Sequence, residues 1–152
     1  NVAAVLSNFH TPPHRLEFVR RLQNVDYYND SKATNIESCL TACNAINKPL
    51  NLLLGGSDKG EKFSVLAQRL PSNVKSIYLF GKMQKKIYHA LKKRHDIQVF
   101  RCETLSSATK FAMLKAKSGE VVLLSPACAS FDDFKNYEER GNFFKHIVND
   151  LQ

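Results

Sequence analysis

Three segments of the sequence combine hydroxyl, amide, glycine and charged residues directly after short apolar runs. They read Asn-Asp-Ser-Lys-Ala-Thr-Asn at 29–35, Gly-Gly-Ser-Asp-Lys-Gly at 55–60 and Ser-Pro-Ala-Cys-Ala-Ser-Phe at 125–131. Glycine allows the backbone to approach a ligand closely, and lysine supplies a mobile positive charge. Such segments are suited to binding an anionic small molecule, which also fits the formal net charge of +8.

The segment at 125–131 is the first place to look for function, because its flanks predict a strand, a loop and a helix. Val-Val-Leu-Leu at 121–124 is typical of a buried strand. Beyond the loop, apolar residues at helical spacing predict an inner face made of Phe143, Phe144, Ile147, Val148 and Leu151. In open α/β sheets such a loop lies beyond the carboxyl end of a strand, where ligands bind and a helix start offers N–H groups.

Each polar segment also has a purely structural interpretation. Thr34 and Glu37 have the spacing of a capping box, which by itself would explain the threonine. Ser130 with Asp133 could cap the last helix. Gly-Gly-x-x-Lys at 55–59 is also compatible with a plain turn, and it lacks the G-x-x-x-x-G-K-[ST] spacing of a Walker A loop.

Apolar periodicity along the chain indicates strands that alternate with helices. Two β-like runs, 16–19 and 25–28, are separated by Gln23-Asn24 and predict a hairpin. Helices are then predicted around 36–46, 63–70, 82–94 and 104–119, with Thr104 as cap of the last of these, and a final helix carries the apolar residues of 143–151. Strands are predicted at 50–54, 74–80, 97–100 and 121–124. This alternation implies right-handed βαβ units. The expected fold class is α/β, a Rossmann-like, mostly parallel sheet flanked by helices, with a short N-terminal β-hairpin.

Composition indicates a globular domain. The chain has 152 residues, of which 43% are hydrophobic, and no apolar run approaches the roughly 20 residues that span a bilayer. With no basic leader at the N-terminus, we expect a cytoplasmic location and no membrane partner. The four cysteines lack zinc-ribbon spacing, so we expect reduced, mostly buried thiols and no metal site at Cys39, Cys43, Cys102 and Cys128.

Part of the positive charge lies on the predicted helix 82–94. Its basic residues are Lys82, Lys85, Lys86, Lys92, Lys93 and Arg94. No aromatic or glycine pattern of a nucleic-acid module accompanies them. We therefore interpret this helix as a solvated surface and expect no nucleic-acid partner.

Pro-His-Arg-Leu-Glu at 13–17 precedes the polar segments in a fixed order. Together with 29–35, 53–60 and 124–141, it closely resembles the C-terminal domain of the Mur ligase family, and specifically its D-glutamate-adding members. The resemblance covers about residues 13–152, and sister ligases carry other residues where Asp-Ser-Lys-Ala-Thr-Asn stands here. Residues 1–12 are then expected to be the tail of a preceding ATPase domain and a linker.

The resemblance implies a three-domain cytoplasmic enzyme of peptidoglycan synthesis. In that family, ATP phosphorylates the carboxylate of UDP-N-acetylmuramoyl-L-alanine, and the amine of D-glutamate attacks the acyl phosphate. The family's Mg²⁺ ligands belong mainly to the central domain. This chain is therefore expected to be part of a longer polypeptide, to contain no catalytic residue by itself and to be inactive without the upstream domains.

The positions that match the family's D-glutamate contacts are Thr34, Lys59, Ser130, Phe131 and Tyr137. Because D-glutamate brings two carboxylates, hydroxyls, N–H groups and a lysine are suitable partners. Lys59 is the expected charge partner, and Phe131 is expected to act through its backbone N–H. The position of Tyr137 is often phenylalanine in the family, so its hydroxyl need not matter.

The positions that match the family's ATP contacts are Arg15 and Asp30, with Lys32 on the same anion-binding edge. A guanidinium can bind phosphate oxygens, and a carboxylate can accept from ribose hydroxyls. Without the resemblance, Arg15 could pair with Glu17 on a surface strand and Asp30 could close an Asx turn. No role beyond packing or hydrogen bonding follows for His14, Lys135, Asn136 and Arg140.

Two alternatives to a D-glutamate ligase stay open at the level of sequence. One is a domain of another amino-acid ligase in the Mur and folylpolyglutamate synthase superfamily. The other is a non-catalytic module that uses the same loops to hold a nucleotide or another anion.

Overall fold

A six-stranded sheet forms the centre of the computed structural model, which describes residues 12–150. Its strands are β1 (Glu17–Leu22), β2 (Val25–Asn29), β3 (Leu50–Gly55), β4 (Val74–Phe80), β5 (Gln98–Arg101) and β6 (Val121–Leu124). They lie in the order β1-β2-β6-β3-β4-β5, and each neighbouring pair is parallel except β1 with β2. The predicted α/β fold and its mostly parallel sheet are confirmed.

The N-terminal hairpin joins β1 and β2 through the predicted turn. Gln23 and Asn24 both have positive φ, 52° and 62°. Two consecutive left-handed residues are what a tight hairpin turn needs to match the twist of its strands, and asparagine tolerates this conformation well. The hairpin places Glu17, at the start of β1, opposite Asn29, at the end of β2.

Five helices connect or follow the strands in the described part of the chain. They are α1 (Ile36–Ala45), α2 (Phe63–Arg69), α3 (Gln84–Leu91), α4 (Leu105–Lys115) and α5 (Tyr137–Asp150). The basic helix is shorter than predicted, because Lys82 and Lys92–Arg94 lie outside α3. Thr104 caps α4 as predicted, but this helix ends at Lys115, and Gly119 with φ 90° lies in the turn before β6.

The helices cover both faces of the sheet, which gives three layers. Side chains of the central strands alternate, so that Leu52 and Leu54 pack toward α1, α2 and α3 while Leu53 packs toward α4 and α5. All three leucines are fully buried. Such continuous apolar strands are typical of a parallel sheet with helices on both faces.

Some predictions fall on residues outside the described range. The expected tail of a preceding domain concerns mainly residues 1–11, and the expected inner position of Leu151 concerns the last two residues. Within the described range the four cysteines are unpaired thiols, and three of them are buried. None of the helices between residues 12 and 150 has the length and apolarity needed to cross a membrane.

Candidate functional site

The three polar segments meet at the carboxyl ends of three adjacent strands. We call this region the loop edge, made of residues 30–35 after β2, 56–62 after β3 and 125–136 after β6. The segments are joined directly, since the N–H of Ala127 donates to the carbonyl of Ala33 at 2.9 Å. Because β6 lies between β2 and β3, the last segment contacts both of the others.

The start of α1 rules out the purely structural interpretation of Thr34 as a helix cap. Asn35 is the N-cap, and its side-chain oxygen accepts from the N–H of Ser38 at 2.8 Å. The cap lies one residue later than the Thr-x-x-Glu spacing indicates, and Glu37 instead pairs with Arg69 on α2. The hydroxyl of Thr34 is thus not used as a cap.

Thr34 instead lies beside Lys59, the expected charge partner of a ligand. The ammonium of Lys59 is 3.5 Å from the Thr34 hydroxyl, at the long limit of a hydrogen bond. Lys59 is exposed, so its flexible side chain can reorient toward an anion. The structure therefore brings together two of the five residues predicted to contact D-glutamate.

Ser130 and Phe131 lie on a tight turn after β6. The Ser130 carbonyl accepts from the N–H of Phe134 at 2.9 Å, and Ser130 is only 2% exposed. The Phe131 N–H, predicted to bind a carboxylate, donates to the Ser57 hydroxyl at 3.2 Å, while the ring is 72% exposed. Ser130 does not cap α5, because Asn136 does so by accepting from the N–H of Glu139 at 2.8 Å.

Tyr137 lies at the first turn of α5, beside a residue predicted for the nucleotide. The ammonium of Lys32 is 5.7 Å from the centre of the Tyr137 ring, a distance at which a cation–π contact contributes. His14 contacts the same ring edge-on, with centroids 6.0 Å apart. Lys32 and His14 both contact the aromatic ring of Tyr137.

A cavity of about 550 Å³ contains the three residues predicted to contact ATP. It is lined by Arg15, Asp30, Lys32 and Thr34, together with the start of α1. Arg15 is exposed and does not pair with Glu17, whose carboxylate instead binds Lys145 at 3.0 Å. Two exposed cations thus border a cavity that is shared with Thr34.

Asp30 is buried, and both of its carboxylate oxygens already accept hydrogen bonds. One accepts from the N–H of Leu16 at 2.9 Å and the other from the hydroxyl of Ser125 at 2.7 Å. Burial raises the pKa of Asp30 to about 6, although these two hydrogen bonds and the charge of Arg15 act in the opposite direction. The Asx turn that was the alternative role for Asp30 is made by Asn29, whose side-chain oxygen accepts from the N–H of Ser31 at 3.1 Å.

Arg140 is a buried member of the site to which the sequence assigned no role. Its guanidinium donates to the hydroxyl of Ser31 at 2.9 Å, to the carbonyl of Ser31 at 2.8 Å and to the carbonyl of Cys128 at 3.0 Å. It is 0% exposed, and burial lowers its pKa to about 10. The spacing Arg140, Phe144, Val148 places it on the inner face of α5, so helical periodicity could have predicted its burial.

His14 completes the network beneath Arg15. The amide nitrogen of Asn29 donates to Nδ1 of His14 at 2.9 Å, and burial and the charge of Lys145 lower the pKa of His14. Gly141 makes room for the imidazole, since a Cβ there would lie 2.1 Å from His14 Nδ1. The helix therefore holds the turn that presents Arg15.

The sequence is similar to that of named ligases. A profile of the family described as "Mur ligase, glutamate ligase domain" matches residues 14–128. UDP-N-acetylmuramoylalanine--D-glutamate ligase of Koribacter versatilis is 44% identical over 147 residues, which is 97% of this chain and 32% of that protein. The enzyme of the same name from Natranaerobius thermophilus is 45% identical over 99% of this chain and 33% of its own length. The chain thus spans about a third of these relatives.

Solved structures share the fold at lower sequence identity. UDP-N-acetylmuramate-alanine ligase from Thermotoga maritima superimposes with a TM-score of 0.65 at 13% identity, covering 98% of this chain and 33% of that one. Escherichia coli FolC in complex with ADP gives a TM-score of 0.64 at 16% identity, covering 91% and 32% of the two chains. The resemblance drawn from the motifs is confirmed by the profile and the relatives, and this chain belongs to the Mur ligase family, of which it carries the glutamate ligase domain.

Proposed function

We propose that this chain is the part of a cytoplasmic ATP-dependent ligase that binds D-glutamate while it is joined to UDP-N-acetylmuramoyl-L-alanine. The observation that carries the proposal is the contact of Lys59 with Thr34 beside the cavity of Arg15 and Lys32, in a chain 44% identical to a ligase of that name. Two anion-binding groups on one edge match a reaction between an acidic amino acid and a carboxylate that ATP has phosphorylated. The upstream domains of the relatives would supply the remaining two thirds of the enzyme.

For D-glutamate, we assign one carboxylate to Lys59 and Thr34 and the other to Ser130, on the turn that it shares with Phe131, whose N–H already donates to Ser57. The ammonium and the hydroxyl provide charge-assisted hydrogen bonds, which are roughly twice as strong as neutral ones. The Ser130 turn lies on the neighbouring loop, so the two groups can hold two ends of one short ligand. The ring of Tyr137 borders this region.

For ATP, we assign Arg15 and Lys32 to the phosphate groups and Asp30 to the ribose. Asp30 also accepts from the N–H of Leu16, so it orders the turn that carries Arg15. ATP, with Mg²⁺, would supply the phosphoryl group when bound. Between residues 12 and 150 no group of three or more His, Cys, Asp or Glu side chains is arranged to hold a metal ion, and we assign no metal ligand there.

A chimeric ligase tests the proposed function. Residues 1–152 would replace the matching third of the Koribacter versatilis relative, and ATP-dependent joining of D-glutamate to UDP-N-acetylmuramoyl-L-alanine would be measured. We expect activity that falls at least tenfold in Lys59→Ala and Thr34→Ala, because each removes a ligand contact. Lys62→Ala, a change at a nearby exposed lysine that makes no side-chain cap, is the matched control.

Two results would contradict this assignment. If the chimera joins another amino acid in preference to D-glutamate, the chain belongs to a sister ligase. If D-glutamate is joined but Lys59→Ala and Thr34→Ala behave like Lys62→Ala, the reaction stands and the site residues are wrong.

A further inference from the structure

The loop between β3 and α2 connects the two halves of the proposed D-glutamate site. One half is Lys59 with Thr34, and the other is the turn that carries Ser130. Lys59 of this loop reaches Thr34 on the first segment of the loop edge at 3.5 Å. Ser57 of the same loop contacts the segment that carries Ser130 and Phe131. The spacing between the halves therefore depends on how residues 57–59 are held.

Ser57 makes two hydrogen bonds to the Ser130 turn. Its N–H donates to the carbonyl of Ala129 at 2.8 Å, and its hydroxyl accepts from the N–H of Phe131 at 3.2 Å. Ser57 and Ala129 also pair as an isolated antiparallel bridge. These contacts hold the turn from both sides of Ser130.

Close contacts before Ser57 and after the Ser130 turn leave this part of the backbone little room to move. Gly56 has φ +142°, and a Cβ there would lie 2.2 Å from the carbonyl oxygen of Ala129. On the other side of the turn, Asp132 accepts from the N–H of Lys82 at 3.1 Å, and Gly81 lies against the same carboxylate. The Ser130 turn is thus fixed between the loops after β3 and β4.

We propose that Ser57 is a positioning residue for an α-amino dicarboxylate. Its hydroxyl accepts from the N–H of Phe131 and so holds this turn, with Ser130, in a fixed place relative to Lys59 on the same loop as Ser57. The inference rests on the proposed function and adds a residue that need not touch the ligand. Removing the hydroxyl leaves the Phe131 N–H without its acceptor and lets the turn shift relative to Lys59.

Amide hydrogen exchange in the 152-residue chain tests the link without any ligand. We expect exchange of the Phe131 amide to be at least fivefold faster in Ser57→Ala than in the wild type, since its acceptor is lost. Ser57→Thr keeps a hydroxyl and should restore slow exchange. Ser64→Ala, at an exposed serine on α2, is the matched control and should not change it.

Titration with D-glutamate, followed by the amide signals of residues 57–60 and 129–134, tests the consequence for binding. We expect the Kd to rise about fivefold in Ser57→Ala, the factor that corresponds to one net hydrogen bond, and to return in Ser57→Thr. In the chimeric ligase, KM for D-glutamate should rise by the same factor while kcat and KM for ATP change less than twofold. A general loss of structure would instead alter all three parameters.

The outcomes separate this inference from the proposed function. Unchanged exchange at Phe131 in Ser57→Ala overturns the role of Ser57, whatever the ligand is. Tighter D-glutamate binding in Ser57→Ala also overturns it, because the hydroxyl would then compete with the ligand. Faster exchange together with no joining of D-glutamate by the chimeric ligase contradicts the proposed function while the link between Ser57 and the turn stands.

Discussion

The two ends of the parallel strands differ in what they bury. At the loop edge, Asp30, Ser31, Ser125 and Ser130, with Arg140 beneath them, are each no more than 5% exposed. At the opposite end, the hairpin turn and the last turn of α4 line a largely apolar cavity of about 610 Å³, bordered by Leu22, Met113 and Leu114. Leu114 is 83% exposed there.

The difference shows where the molecule is constrained. A buried polar group costs free energy unless its hydrogen bonds are made, so each member of the loop-edge network depends on the position of its partners. Among residues 12–150, no buried side-chain nitrogen or oxygen is without a partner. Apolar side chains at a solvent-exposed cavity impose no such geometric demand. Substitutions at the loop edge should therefore cost more than comparable ones at the other end.

Arg140→Met should give the largest loss of stability. Methionine fills most of the volume of the arginine but leaves the carbonyls of Ser31 and Cys128 without their donor. We expect the free energy of unfolding to fall by about 3 kcal/mol, measured by urea denaturation. Lys110→Met, at the cavity of the opposite end, is the control and should change it by less than about 0.5 kcal/mol.

A loss below about 1 kcal/mol in Arg140→Met would contradict the comparison. It would mean that the cost of burying an arginine without a carboxylate partner offsets its three hydrogen bonds. Arg140→Lys separates charge from geometry, since a lysine keeps the charge but cannot reproduce the planar set of donors.

The pKa of Asp30 predicts a pH dependence that originates at the loop edge. Burial raises it from 3.8 to about 6, so between these values the folded state binds a proton that the unfolded state does not. The stability contributed by this group is therefore lost as the pH rises through that window. Relative to Asp30→Asn, the wild type should lose about 2 to 3 kcal/mol between about pH 4 and about pH 7. If the free energies of unfolding of the two proteins change with pH in the same way, the pKa of Asp30 is not raised by folding.

Glycine substitutions compare the two ends directly. In Gly141→Ala the new Cβ would lie 2.1 Å from His14 Nδ1, so the imidazole and the turn carrying Arg15 must shift, at a cost of about 2 kcal/mol. Gly119→Ala meets no atom within 4 Å, and only its φ of +90° is unfavourable, at about 1 kcal/mol. Thermal unfolding of both variants measures the difference. Equal losses would mean that His14 moves without consequence.

The smallest expected effect distinguishes two neighbouring residues within the loop edge. Asn35→Ala removes the N-cap of α1 and should cost about 1 kcal/mol of stability. Thr34→Ala should cost less than about 0.5 kcal/mol, because its hydroxyl caps nothing and only meets Lys59 at the limit of hydrogen bonding. The reverse order in urea denaturation would restore Thr34 as the cap.

Much of the fold follows from local sequence. The positions of β3, β4 and β6 were predicted within one residue, because each contains a run of at least three apolar residues that is ended by glycine or Ser-Pro. The hairpin turn was predicted for the same kind of reason, since Gln-Asn separates two β-like runs. The ends of α3 and α4 were wrong, because the basic residues 92–94 and the glycine at 119 were taken as helix ends, and local sequence determines the last turn of a helix poorly.

The candidate site was only partly predictable. The segments that carry Thr34, Lys59 and Ser130 were found because glycine and hydroxyl residues directly follow buried strands. The alternative interpretations of Thr34 and Ser130 as helix caps were wrong. At the start of α1, Thr-x-x-Glu and Asn-x-x-Ser patterns overlap by one position, and only the backbone conformation selects between them.

The sequence by itself determined that this chain is an α/β member of the Mur ligase family, because strand and helix periodicities and a set of motifs are local properties. Only the tertiary structure decided which polar groups of the site form hydrogen bonds with one another. Ser57 and Phe131 are 74 residues apart and Ser31 and Arg140 are 109 apart, and no spacing rule connects residues that far along a chain. They meet because the strand order brings β6 between β2 and β3, and hydrogen bonds act over about 3 Å.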